Sequence, residues 1–188
     1  SFDVVGTVFD ANFVDYTVEL STGNCVEAAK WVPLHNGETA VQNAKLAEVS
    51  VLPADGEYCL KLTAFDKAGR ESEATIGFKV DTMPPAVPQL SASVEGKINV
   101  HLQWTGNDEP DLAGYRLLRN DQFVSNDLLV GQELLDENLS NGTYVYQILA
   151  IDHAGNESEL SEPVSVEIDT TPPAVRLRSE ERRVGEVW

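Results

Sequence analysis

The sequence is short of bases. Lysine and arginine number 13 against 31 aspartates and glutamates, a formal charge of −18 on 188 residues. Residues 1–85 carry −7 and residues 86–175 carry −12, and only residues 176–188 turn positive, at +1. A surface this acidic repels phosphate backbones and anionic bilayers, so neither nucleic-acid binding nor membrane-surface binding is expected. No apolar run reaches the length of a membrane span, and direct insertion is not expected either. The chain has no initiator methionine, and residues 2–8 already read as a strand, so its start is expected to lie inside a longer protein. Sulfur is scarce, with 1 Met and 2 Cys, and two cysteines alone cannot furnish a tetrahedral metal site. The 3 histidines fall in a loop (His35), on an outward strand face (His101) and in a turn (His153). No Ser-His-Asp elbow, carboxylate pair or phosphate loop accompanies them, and the chain is not expected to be an enzyme.

What the sequence does hold is a repeat. Ala64-Phe65-Asp66-Lys67-Ala68-Gly69-Arg70-Glu71-Ser72-Glu73 returns as Ala150-Ile151-Asp152-His153-Ala154-Gly155-Asn156-Glu157-Ser158-Glu159, an offset of 86 residues. Val80-Asp81-Thr82-Met83-Pro84-Pro85-Ala86-Val87 returns as Ile168-Asp169-Thr170-Thr171-Pro172-Pro173-Ala174-Val175, an offset of 88. A period of that size is a domain. In each turn the aspartate, Asp66 or Asp152, should bond turn amides, ahead of Gly69 or Gly155.

Alternation identifies the strands. Tyr16, Val18 and Leu20 share a face, although Phe13 falls out of phase with them. Tyr58, Leu60, Leu62 and Ala64 point one way, and Cys59, Lys61 and Thr63 the other. In the second copy Ile98, Val100, Leu102 and Trp104 alternate inward, Tyr115 and Leu117 follow, and Tyr144, Tyr146, Ile148 and Ala150 share one face. Residues 41–51 have no clean period and read as short strands or loop, with a helical turn conceivable at residues 44–48. About seven short strands per copy and no convincing helix predict an all-β chain of two antiparallel β-sandwiches, residues 1–82 and 86–170. Residues 83–85 form the expected linker. Pro84-Pro85 and Pro172-Pro173 follow the last strand of each copy, where fixed φ angles and missing donors end the ladder and make a short, stiff joint.

Trp104, Pro110-Asp111-Leu112-Ala113-Gly114-Tyr115-Arg116, Asn141-Gly142-Thr143-Tyr144-Val145-Tyr146 and Asp152-His153-Ala154-Gly155-Asn156 together resemble a bacterial fibronectin type III domain over residues 86–170. Residues 1–82 are similar to a related bacterial immunoglobulin-like repeat, through Gly6, Tyr16-Thr17-Val18-Glu19-Leu20, Trp31, Asp55-Gly56-Glu57-Tyr58 and Asp66-Lys67-Ala68-Gly69. They lack a second-strand tryptophan. The resemblance implies immunoglobulin-like sandwiches, with Trp104 in the core and a tyrosine anchoring the corner before the sixth strand. Tyr144 and Tyr146 both qualify. It also implies non-catalytic spacer or adhesive modules of an exported bacterial protein, monomeric and extracellular, at the cell surface or in the periplasm. The alternatives are a module that binds carbohydrate or a surface protein, and an accessory segment of a secreted polysaccharide-degrading enzyme.

If Cys25 and Cys59 lie at the end of a third strand and the start of a sixth, they are neighbours, and a surface disulfide is expected across one sheet. The loop it closes would make it worth about 3 kcal/mol; the other reading is two thiols in a reducing compartment. Asp108, Glu109 and Asp111 crowd one loop, and Asp81 and Asp169 sit at the exits. These are weak calcium candidates without a calcium-loop spacing, so structural roles are expected and no cofactor is required. The sequons at Asn138, Asn141 and Asn156 are expected to be coincidental. Residues 171–178 read as the start of a further module, and the stretch from Ser179 as non-native sequence, disordered or poorly packed, with a genuine strand as the alternative.

Overall fold

The structure, a computed structural model, describes residues 1–50 and 53–178. Position 51 and the stretch from Ser179, on which two of the expectations above fall, lie outside the described residues. No helix occurs among the described residues. The chain divides into two compact units, Ser1–Met83 and Pro84–Trp188.

The first unit contains β1 (Phe2–Val8), β2 (Phe13–Thr22), β3 (Val32–Gly37), β4 (Val41–Val49), β5 (Gly56–Asp66) and β6 (Glu71–Val80). They form a four-stranded sheet, β3-β2-β5-β6, and a two-stranded one, β1-β4, all antiparallel. Between the sheets lie Val8, Tyr16, Val18, Leu46, Ala47 and Leu60. β2 shows why Phe13 is out of phase: the register with β5 slips between Phe13 and Asp15, and such a bulge turns the next side chains over.

Of the expected short strands, loop or helical turn, the stretch from Val41 forms strand, as one continuous element, Val41–Val49. β4 pairs with β1 from Val41↔Val8 to Val49↔Phe2, and the register shifts twice, between Val4 and Val5 and between Gly6 and Val8. Asn43 has φ 46° within it. Successive residues Leu46 and Ala47 are therefore both buried, so alternation, the only local signal of a strand, is erased.

The second unit contains β7 (Leu90–Glu95), β8 (Asn99–Trp104), β9 (Leu112–Arg119), β10 (Gln122–Phe123), β11 (Glu133–Asp136), β12 (Gly142–Asp152) and β13 (Val164–Ile168). Its sheets run β10-β9-β12-β13 and β11-β8-β7. Val100, Leu102 and Trp104 from one sheet meet Tyr115, Leu117, Tyr146, Ile148, Ala150, Val166 and Ile168 from the other. Trp104 is buried edge-on against Tyr115, with ring centroids 5.7 Å apart. The Tyr115 hydroxyl accepts the Asn107 amide at 2.9 Å, which ties the following loop to the core.

Pro84 and Pro85 lie in the strandless stretch between β6 and β7, Pro85 buried and Pro84 exposed. Pro172 and Pro173 lie beyond β13 and are both exposed.

Candidate functional site

The two copies of the repeat fold into the same pair of devices. The first is the turn. Asp66 ends β5, and its Oδ1 accepts the Ala68 amide at 2.8 Å and the Arg70 amide at 2.9 Å. Arg70 closes on Oδ2 through Nε at 2.8 Å. Asp152 ends β12 and accepts the Asn156 amide and the Asn156 Nδ2, both at 2.8 Å. The main chain reverses at Gly69, φ 74°, and Gly155, φ 89°, a region that a side chain disfavours. The variable position inside the turn, Lys67 or His153, sends its amide elsewhere: to the Asn12 carbonyl in one unit and the Asp111 carbonyl in the other.

The second device closes the exit. Asp55 Oδ1 takes both the amide and the hydroxyl of Thr82, at 3.1 and 2.9 Å. Asn141 Oδ1 takes the amide and hydroxyl of Thr170, at 3.0 and 2.7 Å. The next acid folds back on its own strand end, with Asp81 accepting the Met83 amide and Asp169 the Thr171 amide. Asn141 and Asn156 thus spend their side chains on the fold.

A tyrosine completes each corner. Tyr144 donates to the Ser140 carbonyl at 2.9 Å, four residues upstream, and is therefore the corner tyrosine. Tyr146 is a core residue whose hydroxyl reaches Asp136 at 2.8 Å. The first unit repeats the corner with Tyr58, which donates to the Ala54 carbonyl at 2.7 Å. Sequence reading missed that role, although Asp55-Gly56-Glu57-Tyr58 and Asn141-Gly142-Thr143-Tyr144 carry the signal at the 86-residue offset. Replacing Tyr58 by Phe is expected to destabilise the first unit by about 0.5–1.5 kcal/mol in urea unfolding.

Of the acids crowded on one loop, Glu109 puts its carboxylate to structural use. Glu109 Oε1 accepts the Ala86 amide at 2.8 Å and Asn107 Nδ2 at 3.4 Å. The Asp111 carbonyl holds the turn at His153, while Asp108 lines an open groove with Val87 and Thr105. Among the described residues no group of three or more His, Cys, Asp or Glu side chains could hold a metal ion. The histidines stand apart: His35 lies against the Tyr16 ring, with centroids 5.9 Å apart, and His101 Nε2 lies 3.3 Å from Glu133.

Hydrogen bonding sets the acid response. Bonds from the Arg70 amide above all hold the Asp66 carboxyl below its ordinary range. Burial pushes Asp152 up, but the bonds from Asn156 and the turn amides outweigh it and leave it lowered. Bonds from Thr171 lower Asp169, and bonds led by the Ala86 amide lower Glu109. Lowered carboxyls stabilise the fold fully above the ordinary carboxylate range, and that contribution is lost as pH falls through the lowered values. Tm is expected to hold down to about pH 4 and then fall. Asp66→Asn should blunt that fall in the first unit, as followed by thermal unfolding across pH.

Cys25 and Cys59 are bonded, with Cα atoms 5.0 Å apart. Thr22 opposite Tyr58 in the β2–β5 register brings the end of one strand beside the start of the other. The bridge is only in part the surface one expected, because Cys25 is half-buried at its outer end. Cys59 lies on the face away from Leu60, yet it is fully buried. The segment between β2 and β3 carries Cys25 to that face and places the Trp31 ring 4.6 Å from Lys61 Nζ. Glu19 Oε2 also meets Lys61 Nζ, at 2.9 Å. A structural disulfide of this kind fits an oxidising compartment.

No family model matches the chain. It is 32% identical over 135 residues to exoglucanase B of Cellulomonas fimi, 64% of this chain and 12% of that protein. It is 35% identical over 89 residues to an amylopullulanase of Thermoanaerobacterium saccharolyticum, 43% of this chain and 7% of that protein. The chain thus spans about a tenth of the length of these curated relatives. Among solved structures, the fibronectin(III)-like modules of Clostridium thermocellum CbhA superpose with a TM-score of 0.52 at 15% identity, covering 90% of this chain and 87% of theirs. At that identity the likeness speaks for the fold alone, and the chain has the fold of bacterial fibronectin(III)-like modules.

Proposed function

We propose that these residues are non-catalytic spacer modules of a longer, exported bacterial protein that degrades polysaccharide. One observation carries the reading: the two curated relatives are an exoglucanase and an amylopullulanase, each matched over a small fraction of its length. The chemistry agrees with it. The repeated acids are turned onto backbone amides, and the tyrosines anchor corners, so the residues that the repeat preserves do structural work. The charge of −18 keeps the modules monomeric and clear of polyanions, so their working partners are the neighbouring domains of the same polypeptide. The disulfide supports a location outside the cytoplasm.

The test is retention on insoluble cellulose and starch, with the purified chain and a known binding module in parallel. A spacer passes through both matrices unretained. Saturable retention released by soluble oligosaccharide would replace this reading with that of a carbohydrate-binding module.

A further inference from the structure

The β7–β8 ladder ends where Leu90 faces Trp104, yet the chain ahead of Leu90 stays attached to the same unit. The Gln89 amide donates to Thr105 Oγ1 at 2.9 Å, and the Thr105 amide donates to the Gln89 carbonyl at 3.0 Å. Three residues earlier, Glu109 Oε1 accepts the Ala86 amide at 2.8 Å, and Asn107 Nδ2 donates to the Ala86 carbonyl at 2.7 Å. Two side chains thus take the donor and the acceptor of Ala86, as a neighbouring strand would. Pro85 and Pro88 are buried on either side of it. The buried Tyr115 accepts the Asn107 amide on its hydroxyl, which pins the loop that supplies both side chains.

The sandwich does not require this clasp. In the first unit residues 9–12 join β1 to β2, whereas residues 105–111 join β8 to β9, and the longer loop carries Asn107 and Glu109. The clasped tetrapeptide also recurs unclasped. Pro172-Pro173-Ala174-Val175 repeats Pro84-Pro85-Ala86-Val87, and among the described residues no hydrogen bond reaches the exposed Ala174. Proline fixes only its own φ, so a Pro-Pro pair passes stiffness on only where the residue after it is held.

We propose that Asn107 and Glu109 are positioning residues that hold the entrance of the second unit, residues 85–89, as a rigid extension of its sandwich. The clasp deepens the spacer reading and rests on it for its use, since a spacer must carry direction through its prolines. Glu109 supplies the stronger half, because a carboxylate accepts an amide more tightly than a neutral group does.

The experiment measures backbone order parameters by NMR relaxation, and amide exchange, on the full chain. Ala86 and Val87 are expected at the rigid value of about 0.85, and Ala174 and Val175 below about 0.6. Glu109→Ala with Asn107→Ala should bring Ala86 and Val87 down to the level of Ala174. Exchange of the Ala86 amide should then quicken about 10–100-fold, while the core amides of Leu102 and Ile148 keep their protection. Glu109→Gln, which retains an accepting oxygen, should preserve most of the order. The proposal is overturned if Ala86 is as mobile as Ala174 in the unaltered chain, or if the double variant leaves Ala86 unmoved. It is equally overturned if the core amides lose protection in step with Ala86, since the two side chains then serve overall stability. Retention on polysaccharide plays no part in this readout, so the clasp and the spacer reading can fail separately.

Discussion

Reduction of the Cys25–Cys59 bond is expected to lower the stability of the first unit by about 3–4 kcal/mol, because the bridge closes a long loop in the unfolded chain. For a unit of this size that is a fall in Tm of about 15–25 °C. The first-unit core is thin, with one of its two sheets holding only β1 and β4 among the described residues, so little remains to offset the loss. Each unit has its own reporter: Trp31 beside Lys61 in the first, Trp104 in the core of the second. With Trp188→Phe in the background, dithiothreitol should move the transition seen by Trp31 fluorescence. Cys25→Ser with Cys59→Ser should reproduce the shift without reductant. A first-unit transition unchanged by both would mean that the bridge contributes nothing.

Replacing Arg119 by Ala is expected to destabilise the second unit by about 2–4 kcal/mol. Asp136 on β11 accepts Arg119 Nη1 from β9 on both oxygens, each at 2.8 Å, and the Tyr146 hydroxyl from β12 at 2.8 Å. The trio therefore joins the two sheets across the core. The Asp136 side chain is 8% exposed, so losing the guanidinium leaves a buried charge with one neutral donor. Arg119 itself is 38% exposed, which holds the expectation below the top of the range for buried pairs. Arg119→Met with Asp136→Leu should recover most of the loss, since the pair is then removed together. The same site sets the alkaline limit. Burial above all, and then Asp136, raises the Tyr146 pKa well above that of an ordinary tyrosine. Its contribution is complete below about pH 10 and is lost as pH rises beyond that towards the folded value. Tyr146→Phe should flatten this alkaline decline in Tm.

Much of this was legible in the residues. Strands with unbroken alternation, such as Tyr58 to Ala64 and Val100 to Trp104, needed only a period of two. The turn acids Asp66 and Asp152 were visible because a repeat shows which positions a fold reuses. Three features escaped for physical reasons. β4 is bulged twice, so its sequence has no period to detect. Cys59 is covered by a connection between strands, and face alternation cannot report what a loop later lays over a strand. Asp136 reads as one acid among many in a chain with 31, and its burial depends on partners on β9 and β12, which only the folded register brings beside it. The corner role of Tyr58 could have been read by carrying the 86-residue offset one motif further.

The most direct test of the proposed role is the sequence of the coding region on both sides of these residues. The expected result is a polysaccharide-degrading catalytic domain in the same reading frame, flanked by further fibronectin(III)-like modules. A frame that holds only sandwiches and ends in a wall anchor or membrane span would contradict it, and the chain would then be part of a surface stalk.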